Sequence, residues 1–294
     1  AGGTDSASDA PIAVSEPLRR ALLAANAAKT LPARLKALSR IRPGHLAPET
    51  PRVVEPRTGL SMGEHQALTT SKWGITREAQ DELAAASHHN LARAWSDGFF
   101  DDLVTPYLGL SRDNTLRPDT SVEKLAALRP VFGGPDGTMT AGNSTPLSDG
   151  AAVVLLAEAS YAAEHNLPAL AKVVDAEVAA VDHPDGADLL LAPVVAVGRM
   201  LERQALTLAD FDLYEIHEAF AGTVLAALKA WEDEDYCRSA GLAGALGSID
   251  RSRLNVTGSS LAAGHPFAAT GARIVATLAK LLAQRGPGSR GLVS

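Results

Sequence analysis

An apolar helical face set directly behind a glycine-rich turn leaves a chain few ways to fold, and residues 254–282 (LNVTGSSLAAGHPFAATGARIVATLAKLL) contain both. The stretch starts like a strand, with Leu254 and Val256 alternating against polar neighbours. It passes through a loop holding Gly258, Gly264, His265 and Pro266. It leaves as a helix: Gly271, Ile274, Val275, Leu278, Leu281 and Leu282 share one face, and Arg273, Lys280 and Gln284 the other. A histidine is thereby fixed at a strand-to-helix turn. Pro266 restricts its backbone, and Gly264 lets a chain segment or a ligand come close. Such a loop can present an imidazole to a pocket as a base. Spacing alone is equally served by a helix-opening turn with a surface histidine.

The same context recurs at His217, which follows an expected strand at 211–216 and precedes an expected helix at 218–231. Parallel strands place such loops on one edge of a sheet, so the two histidines are expected to share a pocket. Elsewhere the pattern is also α/β. Apolar runs at 151–157 and 169–181 read as buried strands, with a helix between them at 158–166. Residues 193–205 read as a helix, as do 76–94, with Thr76 as N-cap and Gly98 past the end. His88 and His89 are adjacent on that helix and point in different directions, so they make a poor metal pair. Residues 31–41 read as a short basic amphipathic helix, with Leu31, Leu35, Leu38 and Ile41 as its apolar side. The proline-rich 42–60 reads as irregular and 133–137 as a turn. Gly241, Gly244 and Gly247 are evenly spaced but form no dinucleotide fingerprint.

Composition narrows the function classes. One cysteine, Cys237, rules out an internal disulfide framework and a multi-thiolate metal site, and no metal centre is expected. A reducing, cytoplasmic setting is the natural reading. The formal charge of −7 argues against a general nucleic-acid binder. Within 19–57, however, nine Lys or Arg face two Glu. That segment reads as a solvated face, a site for anionic phosphates, or a docking surface for a membrane or partner subunit.

Four motifs, taken together, resemble the thiolase superfamily. Gly264-His265-Pro266 with the A-T-G-A-R run at 269–273 is similar to its histidine motif. Residues 139–145 (MTAGNST) running on to Asp149-Gly150-Ala151-Ala152 resemble a second, His217-Glu218-Ala219-Phe220 a third, and Ser61-Met62-Gly63-Glu64 the S-M-G element of the loop domain. The H-E-A-F and G-H-P-F forms look like those of fatty-acid-oxidation 3-ketoacyl-CoA thiolases that partner a hydratase/dehydrogenase.

The resemblance implies a thiolase-like α/β fold, two halves of similar topology with an inserted loop domain. Residues 1–3 would end the N-terminal half, 4–135 form the loop domain, 136–166 return to the N-terminal half, and 167–294 form the C-terminal half. It implies thiolytic cleavage of 3-ketoacyl-CoA, with coenzyme A as substrate and no cofactor. His265 would activate a nucleophilic thiol, and His217 would help build an oxyanion hole. Met62, Ser144, Thr145, Gly264 and Phe267 would line the coenzyme A and acyl sites. A homo-oligomer is implied, with a hydratase/dehydrogenase subunit or a membrane surface as further partners. Both catalytic cysteines would fall outside this sequence, the chain lacking both ends. Cys237, in an acidic stretch away from any motif, reads as an ordinary thiol. Two rival functions remain open: acetoacetyl-CoA synthesis in the condensing direction, and a non-catalytic thiolase-like protein that binds coenzyme A thioesters or lipids.

Overall fold

Short strands and longer helices are mixed along the chain, and three segments of its larger unit meet at the two histidines. The computed structural model describes residues 1–49, 53–183 and 185–294. Arg52, one of the basic residues of 19–57, lies outside the described residues. The chain divides into two compact units, Ala7–Val54 on one hand and Ala1–Ser6 with Glu55–Ser294 on the other.

In chain order, β1 (Gly2–Asp5) belongs to the larger unit. The smaller unit holds β2 (Ala13–Val14), α1 (Glu16–Ala27), α2 (Leu31–Leu38) and β3 (Pro48–Glu49), with β2 and β3 antiparallel. Ser15 caps α1 by accepting from the Leu18 amide, and its own hydroxyl donates to the His45 carbonyl at 2.6 Å. The expected helix at 31–41 is present as α2, but its apolar side is not covered. Leu31, Leu35 and Leu38 are exposed, and the small Ala37 is the buried residue.

The larger unit continues with α3 (Met62–Lys72), α4 (Arg77–Ser96), α5 (Val122–Ala126), β4 (Pro130–Phe132), β5 (Met139–Thr140) and β6 (Gly150–Val153). Then come α6 (Ala159–Glu164), α7 (Ala192–Gln204), β7 (Leu213–Glu215), α8 (Ala221–Glu232) and α9 (Glu234–Ser239). It closes with α10 (Ser260–Ala263), α11 (Phe267–Arg285) and β8 (Gly291–Val293). Thr76 caps α4 as its sequence position suggests, accepting from the Ala79 amide at 3.2 Å. β7 and β8 pair in parallel, while β1 and β6 form an antiparallel ribbon. The main core lies between α7, α8 and the β7–β8 pair, around Trp231, Val194, Val224 and Leu292. A second cluster under α4 gathers Leu91, Trp95, Phe99, Phe100 and Ala262.

Three expectations need correction. Residues 151–157 and 169–181 are not buried strands. The first run supplies only β6, and the second has no regular structure among the described residues. Val153, Leu155, Val173 and Val178 are exposed. A buried parallel strand needs neighbours on both sides and helices on both faces; among the described residues β6 pairs with β1 alone, and no strand pairs with 169–181.

The expected strand at 254–257 is also absent. Leu254 makes a single parallel bridge to Tyr214, and Asn255 then turns the chain at φ +46°. Its side-chain amide takes over the role of the missing strand. Oδ1 accepts from the Ile216 amide at 2.8 Å, and Nδ2 donates to the Ile216 carbonyl at 2.9 Å. The third correction concerns α8, which opens at Ala221 rather than 218. Residues before it run extended beside 143–145, with the Thr145 amide donating to Ala219 O at 3.0 Å and the Ala221 amide to Asn143 O at 3.0 Å.

Candidate active site

His217 lies just beyond the end of β7, and its amide donates to the Ser294 carbonyl at 2.7 Å. His265 sits in the turn between α10 and α11. The backbone reasons are legible. Gly264 takes φ +89°, and a Cβ there would come within 2.4 Å of the Ser148 hydroxyl. Ser148 Oγ also accepts from the His265 amide at 3.3 Å, and Leu147 forms a parallel bridge with His265. The close neighbour that Gly264 admits is thus the 147–148 segment. The turn after β7, the α10–α11 turn and the 144–148 loop thereby converge, and the imidazole centroids stand 4.1 Å apart at 47°.

Each ring has one nitrogen engaged. His265 Nδ1 is 2.7 Å from Thr270 Oγ1, whose hydroxyl lies 3.0 Å from the Pro266 carbonyl. With the Thr270 proton on that carbonyl, His265 Nδ1 is the donor, and Nε2 keeps a lone pair. His217 Nδ1 is 2.8 Å from Ser260 Oγ, while its Nε2 is buried and has no hydrogen-bond partner. Burial, reinforced by His265 and Arg273, pushes His217 down to about 3. Burial, then Arg273, pushes His265 down to about 4, against the opposing pull of Asp5. Both rings are therefore neutral near pH 7, and a neutral imidazole can accept a proton at one nitrogen and donate a hydrogen bond from the other.

Beneath the pair lies a buried polar network that sequence reasoning did not find. Glu218 is 1% exposed and accepts from Ser87 Oγ at 2.7 Å, Asn255 Nδ2 at 2.7 Å and the Leu261 amide at 3.2 Å. Burial raises its pKa against those three donors. Glu215 accepts from Ser259 Oγ at 2.8 Å through Oε1, its Oε2 has no partner, and burial pushes it up to about 8. It is thus a neutral acid at neutral pH. Arg273 reaches Ser260 Oγ at 2.7 Å through Nη2. In sequence Arg273 falls on the polar side of its helix; the one available signal was an arginine inside a turn-proximal motif.

The other expected residues divide. Phe267 is 54% exposed and sets its ring edge-on to His265, centroids 4.6 Å apart. Thr145 adjoins the site, its hydroxyl donating to Ser260 O at 2.9 Å. Ser144 is buried, bridges to Phe220, and leaves its hydroxyl without a partner. Met62 opens α3, partly buried, and the contacts that assemble the histidine pair do not include it. The Ser61–Glu64 run around it is a capping box. Ser61 Oγ accepts from the Glu64 amide at 3.3 Å, and Glu64 Oε2 accepts from the Ser61 amide at 2.7 Å. Gly63 is required where it stands, because a Cβ would meet the Phe132 ring at 2.3 Å. His88 accepts from the Arg117 amide, His89 lies 2.8 Å from the Thr120 carbonyl, and no metal-binding cluster occurs among the described residues.

The matching family models divide the chain between them: the thiolase N-terminal domain over residues 1–160 and the thiolase C-terminal domain over 167–294. The chain belongs to the thiolase family. It is 43% identical to a 3-ketoacyl-CoA thiolase of Pectobacterium atrosepticum, covering 98% of this chain and 67% of that one. To a 3-ketoacyl-CoA thiolase of Klebsiella pneumoniae it is 44% identical, over 100% of this chain and 68% of the relative. Among solved structures, human mitochondrial 3-ketoacyl-CoA thiolase in complex with CoA superposes with a TM-score of 0.73 at 29% identity, over 97% of this chain and 64% of that one. Acetyl-CoA acetyltransferase of Bacillus anthracis gives 0.63 at 34% identity, over 80% and 56%. The chain thus spans about two thirds of the length of these thiolases. Its thiolase-like α/β architecture is the one the sequence motifs imply. Cys237, its single cysteine, is fully buried in α9 with Sγ 3.2 Å from the Ala230 carbonyl, and burial, then Asp233 and Glu234, raise its pKa.

Proposed function

We propose that this chain supplies the histidine pair of a 3-ketoacyl-CoA thiolase that cleaves 3-ketoacyl-CoA to acetyl-CoA and a shortened acyl-CoA. The observation that carries the reading is the pair itself: two neutral imidazoles in contact, each with Nδ1 engaged and Nε2 free of a protein partner. A free Nε2 lone pair on His265 suits removal of a thiol proton. The thiolate then attacks the C3 carbonyl, the C2–C3 bond breaks, and acetyl-CoA leaves as an enolate that is protonated at C2. The shortened acyl group stays on the enzyme thiol until coenzyme A takes it up. His217, directly or through a water, donates to the thioester oxygen on which enolate charge develops. Cys237 is too well buried, and too weakly acidic, to be the thiol, so the nucleophile lies beyond these 294 residues.

Phe267, Ser144, Thr145 and Gly264 form the adjoining wall for the acyl and pantetheine chain. Of the two hydroxyls, that of Ser144 is uncommitted. Met62 would enter through the substrate's far end. We take residues 4–135 as the loop domain, 1–3 with 136–166 as parts of the N-terminal half, and 167–294 as the C-terminal half. A cytoplasmic homo-oligomer is the assembly we favour. The exposed leucines of α2, interleaved with Arg34, Lys36 and Arg40, support a contact surface for a membrane or a hydratase/dehydrogenase subunit. No helix among the described residues is long and apolar enough to cross a membrane.

The test is product analysis on the full-length protein with 3-ketoacyl-CoA of graded chain length and free coenzyme A. Equal amounts of acetyl-CoA and shortened acyl-CoA are expected, and His265→Ala should abolish both. Turnover restricted to acetoacetyl-CoA would favour the condensing enzyme. Thioester binding without products would leave a non-catalytic binder.

A further inference from the structure

We propose that Arg273 and Ser260 form a positioning pair that fixes the tautomer of His217, holding its proton on Nε2. The inference rests on the thiolase reading for its purpose, but its geometry stands independently. Ser260 is fully buried at the first residue of α10 and has one hydroxyl proton. Its oxygen faces two nitrogens, Arg273 Nη2 at 2.7 Å and His217 Nδ1 at 2.8 Å. A guanidinium only donates, so the oxygen accepts there. The hydroxyl proton is then free to point at His217, and Nδ1 must accept it. A neutral imidazole that accepts at Nδ1 carries its proton at Nε2.

The opposite tautomer would put two donors on the Ser260 oxygen and leave the hydroxyl proton without an acceptor. A buried polar group left unpaired is penalised, because it gives up its hydrogen bond to water without replacement. Arg273 is thus what makes the two tautomers unequal. Arg273 makes no ion pair among the described residues; of the carboxyl groups near it, Glu215 is engaged with Ser259, Glu218 with Ser87, Asn255 and Leu261, and Asp113 with Trp95. Arg273 Nη2 stands 3.5 Å from Ser259 Oγ, and its Nε is buried without a partner. The result is an Nε2–H on His217, buried and unpartnered, beside the His265 ring. That is a donor waiting for an oxygen. The two rings acquire complementary tasks: His265 Nε2 accepts a proton, and His217 Nε2–H donates a hydrogen bond.

The test is nitrogen-15 NMR of the histidine-labelled protein near pH 7, using long-range proton–nitrogen correlations to read which nitrogen is protonated. His217→Asn identifies the resonance. Wild type should show His217 as the Nε2–H form. Arg273→Met, which keeps the stem but no donor, and Ser260→Ala should each give a mixture of tautomers, and Arg273→Lys should restore the single form. Thr270→Val should leave His217 unchanged. An Nδ1–H form in wild type overturns the proposal without any variant, as does an unaltered spectrum in both Arg273→Met and Ser260→Ala. In the full-length enzyme, Arg273→Met should lower kcat by up to about a hundredfold with KM little changed. If the tautomer is Nε2–H yet His217→Ala retains normal turnover, the positioning stands and the thiolase role of His217 falls.

Discussion

His217 and Glu218 are neighbours in sequence with opposite surroundings. One keeps a nitrogen free, and the other spends both oxygens on Ser87, Asn255 and Leu261. Of the two, His217 should govern rate and Glu218 the seating of the α10 turn. His217→Asn can still donate and hold a water, so it should retain more thiolysis than His217→Ala; equal rates in both would remove the donor role. Glu215 gives a stability signature. Its folded-state value of about 8 lies above the carboxylate's ordinary 4.5. The folded protein therefore holds a proton that the unfolded chain has released, and stability present below about 4.5 is lost as pH rises toward 8. The half-buried histidines slope the other way: with His217 at about 3 and His265 at about 4, stability is lost as pH falls below 6.5. Glu215→Gln should remove its own share of the alkaline loss, leaving that of the buried Glu218 and the acid loss unchanged. Its advantage over wild type in urea unfolding should widen from pH 5 to pH 8, by on the order of a few kcal/mol. Parallel pH profiles would contradict this.

At the scale of elements, the turn 254–264 is seated by close approach rather than by a ladder. Gly258 takes φ +73°, and a Cβ there would come within 2.4 Å of the Ser87 carbonyl and 2.7 Å of Leu91 on α4. Gly258→Ala should therefore destabilise by about 2 kcal/mol or more, combining backbone strain with a clash, and should loosen the hydrogen bond that the Ser259 amide donates to Ser87 Oγ at 3.1 Å. Thr76→Ala, which only removes a cap, should cost about 1 kcal/mol by thermal unfolding. These two sites show how far the sequence was legible. Thr76, Gly98, α7 and α11 follow from capping and 3.6-residue spacing, and β7 from a short run of strand-forming residues, all of them local rules. The network under the histidines was not legible, because Ser87, Glu215, Asn255 and Arg273 are brought together by packing across long separations. Asn255 misled for a physical reason: its side-chain amide does the work of a strand backbone, and spacing cannot reveal that. The apolar runs at 151–157 and 169–181 misled because they carry the right composition for a buried sheet, yet the first pairs with β1 alone and the second with no strand among the described residues.

For the molecule as a whole, charge and exposure are divided. The formal total is −7, yet residues 19–57 are strongly basic, and α2 within them exposes Leu31, Leu35 and Leu38. If this is a docking surface, reversing Arg34, Lys36 and Arg40 to Glu should leave the KM for coenzyme A unchanged while association with anionic vesicles or a partner subunit is lost, most clearly at low salt. A raised KM for coenzyme A would assign the segment to the phosphates of that substrate instead, and no change in either would leave a solvated face.

The account turns on His265 serving a thiol other than Cys237. The most direct measurement is mapping of the acyl-enzyme: the full-length protein is incubated with acetoacetyl-CoA, quenched and digested, and the acetylated residue is located by mass spectrometry. We expect one acetyl group on a cysteine outside these 294 residues, absent in His265→Ala and present in Cys237→Ala. An adduct on Cys237, or one that forms undiminished without His265, would contradict the account.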